Sequence, residues 1–118
     1  MSSNNKIRED KILGVLGNEW ARKILLLLMK NNTMPADEIE EQVKEAHATV
    51  NKKLLELENA GLIEPIGYKR GHIGAPARIY FCKVYDIVIS ASRGNLSCSL
   101  KMYDIPSKSI EIKKEKRK

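Results

Sequence analysis

Apolar residues recur along the first half of the chain at helical spacing. Between Lys6 and Gly17, the positions Ile7, Ile12, Leu13, Val15 and Leu16 fit a short helix that Gly17 ends. Asn18 suits the N-cap of a second helix from Glu19 to about Asn31, with Trp20, Ile24, Leu27 and Leu28 on one stripe and Arg22, Lys23 and Lys30 elsewhere. The width of that stripe predicts a central, largely buried helix. Thr33 and Met34 break the pattern. Pro35 then fits the first turn of a third helix, Asp37 and Glu38 suit its positive N-terminal end, and Ile39 and Val43 form its inward face. Residues Glu45 to Ala48 allow a tight turn, after which Val50, Leu54 and Leu57 fall at i, i+4 and i+7 before Gly61, a fitting left-handed C-cap.

Past Gly61 the period shortens to that of strands. Leu62, Ile63 and Ile66 predict a short strand, Gly67 to Pro76 a loop, and Arg78 to Tyr85 a second strand, together a β-hairpin with a long basic tip. From Val84 to Ile105 two readings compete. Asp86 to Ser90 alternates like a strand and also fits a helical turn, whereas Leu96, Cys98, Leu100 and Met102 alternate more clearly and Arg93-Gly94-Asn95 fits a turn. An additional C-terminal β-hairpin is preferred over a helix. The class expected is α+β, with one domain over residues 1–105, in which 84–105 is a candidate dimerisation element, and a basic tail, 106–118, expected to be disordered.

Composition narrows this further. A chain of 118 residues supports one modest core. With 42% hydrophobic, 31% charged and 5% aromatic residues, that core falls to Leu, Ile and Val. The longest apolar run, Ile24 to Met29, is far short of the roughly 20 residues that cross a bilayer, so no membrane association and a cytoplasmic location are expected. A net charge of +6 favours an anionic partner, nucleic acid being the commonest. The charge is also segregated. Asp37, Glu38, Glu40, Glu41 and Glu45 oppose only Lys44 between Pro35 and Glu45, and that element is expected to face away from a polyanion. By contrast, Lys69, Arg70, Arg78 and Lys83 occupy Gly67 to Lys83 without an acid, and the end, KSIEIKKEKRK, is strongly basic.

The stretch GYKRGHIGAPARIYF, Gly67 to Phe81, raises the question of a phosphate-cradling loop. It lacks a following helix N-terminus and the lysine-serine or lysine-threonine pair that such a loop needs. Cys82 and Cys98 form neither a CxxC nor a Cys/His cluster and read first as small apolar strand residues, with a single bridge or a sensor pair as the alternative if they meet across strands. With His47 and His72 the only histidines, neither catalysis nor a metal or cofactor site is expected.

Three pieces, LGNEWARKILLLL, TVNKKLLELENAGLIE and GAPARIYF, together resemble winged helix-turn-helix regulators of the ArsR and MarR type, particularly small archaeal members, over about Leu16 to Val84. The resemblance implies a three-helix core with a β-hairpin wing, a recognition helix over 47–60 in the major groove of double-stranded DNA, and a basic wing over 67–78 on phosphate or the neighbouring minor groove. Carried onto this chain, it makes Thr49 and Asn51 candidates for base edges or phosphates and Lys52 and Lys53 for phosphate or guanine. Ala48 offers a small surface to a thymine methyl, and His47 either touches phosphate or caps the helix. Lys69, Arg70, His72 and Arg78 complete the candidate set on the wing. Two departures stand out: Leu55 occupies a recognition-helix position that is usually polar, and the preceding helix is acidic.

The function expected is a sequence-specific transcription regulator, acting as a homodimer, with no effector indicated. The alternatives are a winged-helix protein-interaction module in a transcription, repair or chromosome-handling complex, and a non-specific architectural DNA binder.

Overall fold

The computed structural model describes residues 2–71 and 74–103, with side chains from residue 9 onward. The candidate His72, the end of the 84–105 extension and the basic tail 106–118 lie outside the described residues. Four helices, α1 (Ser2–Leu16), α2 (Glu19–Asn31), α3 (Ala36–Val43) and α4 (His47–Asn59), combine with five strands: β1 (Thr33–Pro35), β2 (Ile63–Arg70), β3 (Pro76–Cys82), β4 (Val84–Ser92) and β5 (Asn95–Met102). The arrangement is mixed α+β. Its strands form two small antiparallel sheets, one ordered β1-β3-β2 and the other the β4–β5 ribbon.

Local signals explain most element ends. Asn18 caps α2 as expected, its Oδ1 accepting from the Ala21 amide at 2.9 Å. At the end of α4, Gly61 takes φ 81, its amide donates to Glu58 and the Leu62 amide to Leu57. That doubly bonded turn needs a residue free of left-handed strain, and it places Leu62 beside Leu57, both fully buried.

Elsewhere the structure corrects the expectations. Helix α1 begins at Ser2 rather than Lys6, while its end at Leu16, just before Gly17, is as expected. In α2 the buried set is Ala21, Ile24, Leu25 and Leu28, while Trp20 and Leu27 are half-buried and Leu26 is 60% exposed. Four consecutive leucines, Leu25 to Leu28, leave periodicity unable to choose among stripes, so packing chooses. Thr33 and Met34 do more than break a pattern: with Pro35 they form β1, pairing with Phe81, Tyr80 and Ile79. Pro35 therefore sits at the N-cap of α3 in extended geometry, φ −74 and ψ 151, instead of inside its first turn. The turn expected over Glu45 to Ala48 is displaced, because Lys44 already adopts left-handed geometry (φ 58) and α4 starts at His47 and ends at Asn59.

The hairpin is also more regular than its sequence suggests. Gly67 to Arg70 pair with Ile79 to Pro76, so the expected Gly67–Pro76 loop contracts to a tip between Arg70 and Pro76. Ile66 forms the bulge between Pro65 and Gly67. The strand expected to run to Tyr85 ends at Cys82; Lys83 links it to β4, donating its amide to Leu62 at 2.9 Å. Beyond it, the described part of 84–105 is the preferred hairpin rather than a helix, turning at Arg93 (φ 52) and Gly94 (φ 80) between the paired Ser92 and Asn95.

One core joins these parts: Ile12 of α1, Ile24, Leu25 and Leu28 of α2, Ile39 of α3, Val50, Leu54 and Leu57 of α4, then Ile63, Tyr80, Cys82 and Val84 from the strands. No polar or charged residue is buried among the described residues. None of the described helices is long and apolar enough to cross a membrane.

Candidate nucleic-acid interface

Helix α4 divides into two faces. Val50, Leu54 and Leu57 anchor one in the core, and Ala48, Asn51, Lys52 and Leu55 project from the other, since residues three and four apart share a helix face. Leu55 is 54% exposed in the middle of that row. Thr49 and Lys53 flank it and are only partly exposed. The Lys53 side chain retains 15% exposure and its ammonium lies 3.4 Å from Glu56, so Lys53 is less available than its neighbour Lys52. His47 is exposed at the helix start, where its Nδ1 lies 2.6 Å from Glu40 of α3, tying the two helices across their turn.

The β2–β3 hairpin supplies the second group. Cross-strand pairing sets Tyr68 opposite Arg78 and Arg70 opposite Pro76, and alternation puts these four on one exposed face. The Arg78 guanidinium lies 5.8 Å over the Tyr68 ring and donates weakly to the hydroxyls of Tyr68, at 3.4 Å, and Tyr80, at 3.5 Å. Those hydroxyl contacts, Tyr68 first and then Tyr80, raise its pKa above the ordinary arginine value. Lys69, one residue from Tyr68, goes to the opposite face and lies 3.4 Å from Glu38 of α3. Of the hairpin candidates described, Arg70 and Arg78 are thus exposed cations, and Lys69 is paired.

Between α4 and the hairpin runs a cleft of about 730 Å³. Asn51 and Leu55 line one side and Tyr68 and Arg78 the other. Asp37, Glu40 and Glu41 of α3 form a third wall. The acidic helix was expected to face away from a polyanion; it borders the candidate interface instead, because the short turn at Lys44 and the His47–Glu40 contact hold α3 against the start of α4. Tyr68 and Tyr80 were absent from the sequence-based set, although the alternation of Tyr68 with Arg70 and of Arg78 with Tyr80 carries the signal that places them together.

No protein-family model and no curated protein matches this sequence.

The cysteines do not join this region. Cys82 is buried on β3 and Cys98 half-buried on β5, both as free thiols in different sheets. Burial pushes the Cys82 thiol pKa up, and burial followed by the nearby Glu9 carboxylate does the same for Cys98. Among the described residues no group of three or more His, Cys, Asp or Glu side chains is arranged to hold a metal ion.

Proposed function

We propose that this chain is a winged helix-turn-helix transcription regulator that binds double-stranded DNA, with α4 as the recognition helix and β2–β3 as the wing. The observation that supports it most is that Asn51, in the exposed row of α4 with Ala48 and Lys52, lines the same cleft as Arg78, in the exposed hairpin row with Arg70. Asn51 has the donor and acceptor needed to read adenine, Lys52 meets phosphate or a guanine edge, and Ala48 leaves room for a thymine methyl. Arg70 and Arg78 contribute sequence-independent phosphate contacts.

A binding assay against selected DNA pools and the protein's own promoter region tests this reading. Asn51→Ala is expected to relax sequence preference, costing about 1–3 kcal/mol at one base pair. Arg70→Ala is expected to weaken all DNA alike and to reduce the salt slope by about 1. Uniformly non-specific binding that vanishes with salt would overturn it.

The acidic wall of the cleft and exposed Leu55 favour a second reading, a protein-interaction module for a partner segment that sets a basic side chain beside an apolar one. In that case Leu55→Asp abolishes a stable heteromeric complex while Arg70→Ala leaves it intact.

A further inference from the structure

Arg78 leaves β3 between two tyrosines of one hairpin face. Tyr68 stands opposite it across the β2–β3 pair, and Tyr80 lies two residues further along β3, where alternation returns the side chain to that face. The two tyrosines differ in burial. Tyr68 is 64% exposed at the rim of the cleft, whereas Tyr80 keeps 3% of its surface and packs into the core. The guanidinium lies over the Tyr68 ring and donates from Nη2 to the Tyr68 hydroxyl and from Nη1 to the Tyr80 hydroxyl. All three side chains line the cleft in front of α4.

We propose that Tyr68 and Tyr80 are positioning residues for Arg78, a clamp that holds its guanidinium ready for a phosphate of bound DNA. The inference rests on the DNA reading above and adds to it two residues that carry no charge. Its first basis is entropy. A loose arginine samples many rotamers and loses them on binding, which costs affinity. A guanidinium held by a hydroxyl anchored in the core and by an aromatic face has lost that freedom already, and its remaining N–H groups stay available to phosphate oxygens. Each contact is long and weak alone, and the three act together on one planar group. The second basis is competition. Asp37, Glu40 and Glu41 line the same cleft. A loose guanidinium is drawn toward such carboxylates and away from phosphate, and a clamped one is held off them.

A double-mutant cycle on the full chain, read by fluorescence anisotropy with duplex DNA from its own promoter region, tests the clamp. Tyr80→Phe and Tyr68→Leu are each expected to weaken binding about three- to tenfold while thermal melting stays close to that of the wild type. Tyr68→Phe, which keeps the ring, should recover part of the Tyr68→Leu loss. In an Arg78→Ala background the same tyrosine substitutions should cost nothing further, because the side chain through which they act is gone. Without DNA, nitrogen relaxation at Arg78 Nε should report an ordered side chain in the wild type and a loose one in the Tyr68→Leu/Tyr80→Phe double variant. Tyrosine variants that bind DNA as the wild type does, losses that persist in full without Arg78, or an Arg78 side chain already loose in the wild type would each overturn the clamp and leave the DNA reading standing. A wild-type chain that binds no DNA overturns that reading, and the clamp with it.

Discussion

Gly71 donates its amide to the Ala75 carbonyl at 2.9 Å, and a β-carbon at this position would overlap that same oxygen. Gly71→Ala is therefore expected to open the hairpin tip at a cost of about 1–3 kcal/mol, seen as a lower melting temperature and faster amide exchange in β2 and β3. The two cysteines differ in the same residue-scale way. Cys82 is fully buried, with its thiol donating to the Val84 carbonyl at 3.2 Å, and Cys98 is partly exposed. A thiol reagent should label Cys98 in the native protein and reach Cys82 only as fast as the chain unfolds. The ordinary thiol pKa is 9.0, and burial raises that of Cys82 in the fold. Above pH 9.0 the unfolded thiol loses its proton before the folded one, so stability falls as pH rises toward the folded pKa. Cys82→Ala should remove that part of the alkaline slope in denaturation measured across pH. Residue types alone favoured strand positions for both cysteines, and both lie in strands; which one is sealed from water depends on sheet packing.

Among the elements, those with both a period and a cap were readable from the residues. Asn18 and the Val50/Leu54/Leu57 spacing announced α2 and α4, and the structure has both helices within a few residues of the expected ends. Asn18→Ala is expected to cost about 1 kcal/mol, read from thermal denaturation, because the Ala21 amide loses its acceptor. Leu57→Ala should cost about 2–5 kcal/mol in denaturant melts, since the side chain is fully buried where α4 turns back to β2. Strand β1 escaped notice because three residues cannot establish a period, and they become a strand only when β3 lies alongside. The boundary of the hairpin loop escaped for a related reason. Gly67, Lys69 and Arg70 resemble loop residues in composition, and their backbone pairing with Ile79, Ala77 and Pro76 is a long-range event.

At the scale of the whole molecule, net charge overstates the cations available to a polyanion. Lys23, Lys53, Lys69 and Lys83 each lie within 4 Å of a carboxylate, that of Glu19, Glu56, Glu38 and Glu64 respectively. Glu38→Gln should release Lys69 within the proposed wing and tighten DNA binding by up to about fivefold at low salt, with the gain fading as salt is added, in a titration by fluorescence anisotropy. The sequence by itself pointed to the α+β class, the four helices, the first hairpin and the segregation of charge, and it favoured the second hairpin while leaving a helix open. These follow from local period, turn chemistry and composition, which act over a few residues. Tertiary structure decided which leucines of α2 are buried, which lysines are paired, that the acids of α3 wall the cleft beside Asn51 and Arg78, and that strand register sets Arg78 against Tyr68. Those outcomes depend on contacts between residues far apart in the chain, where burial and pairing are fixed by the partner that arrives and no local pattern names it.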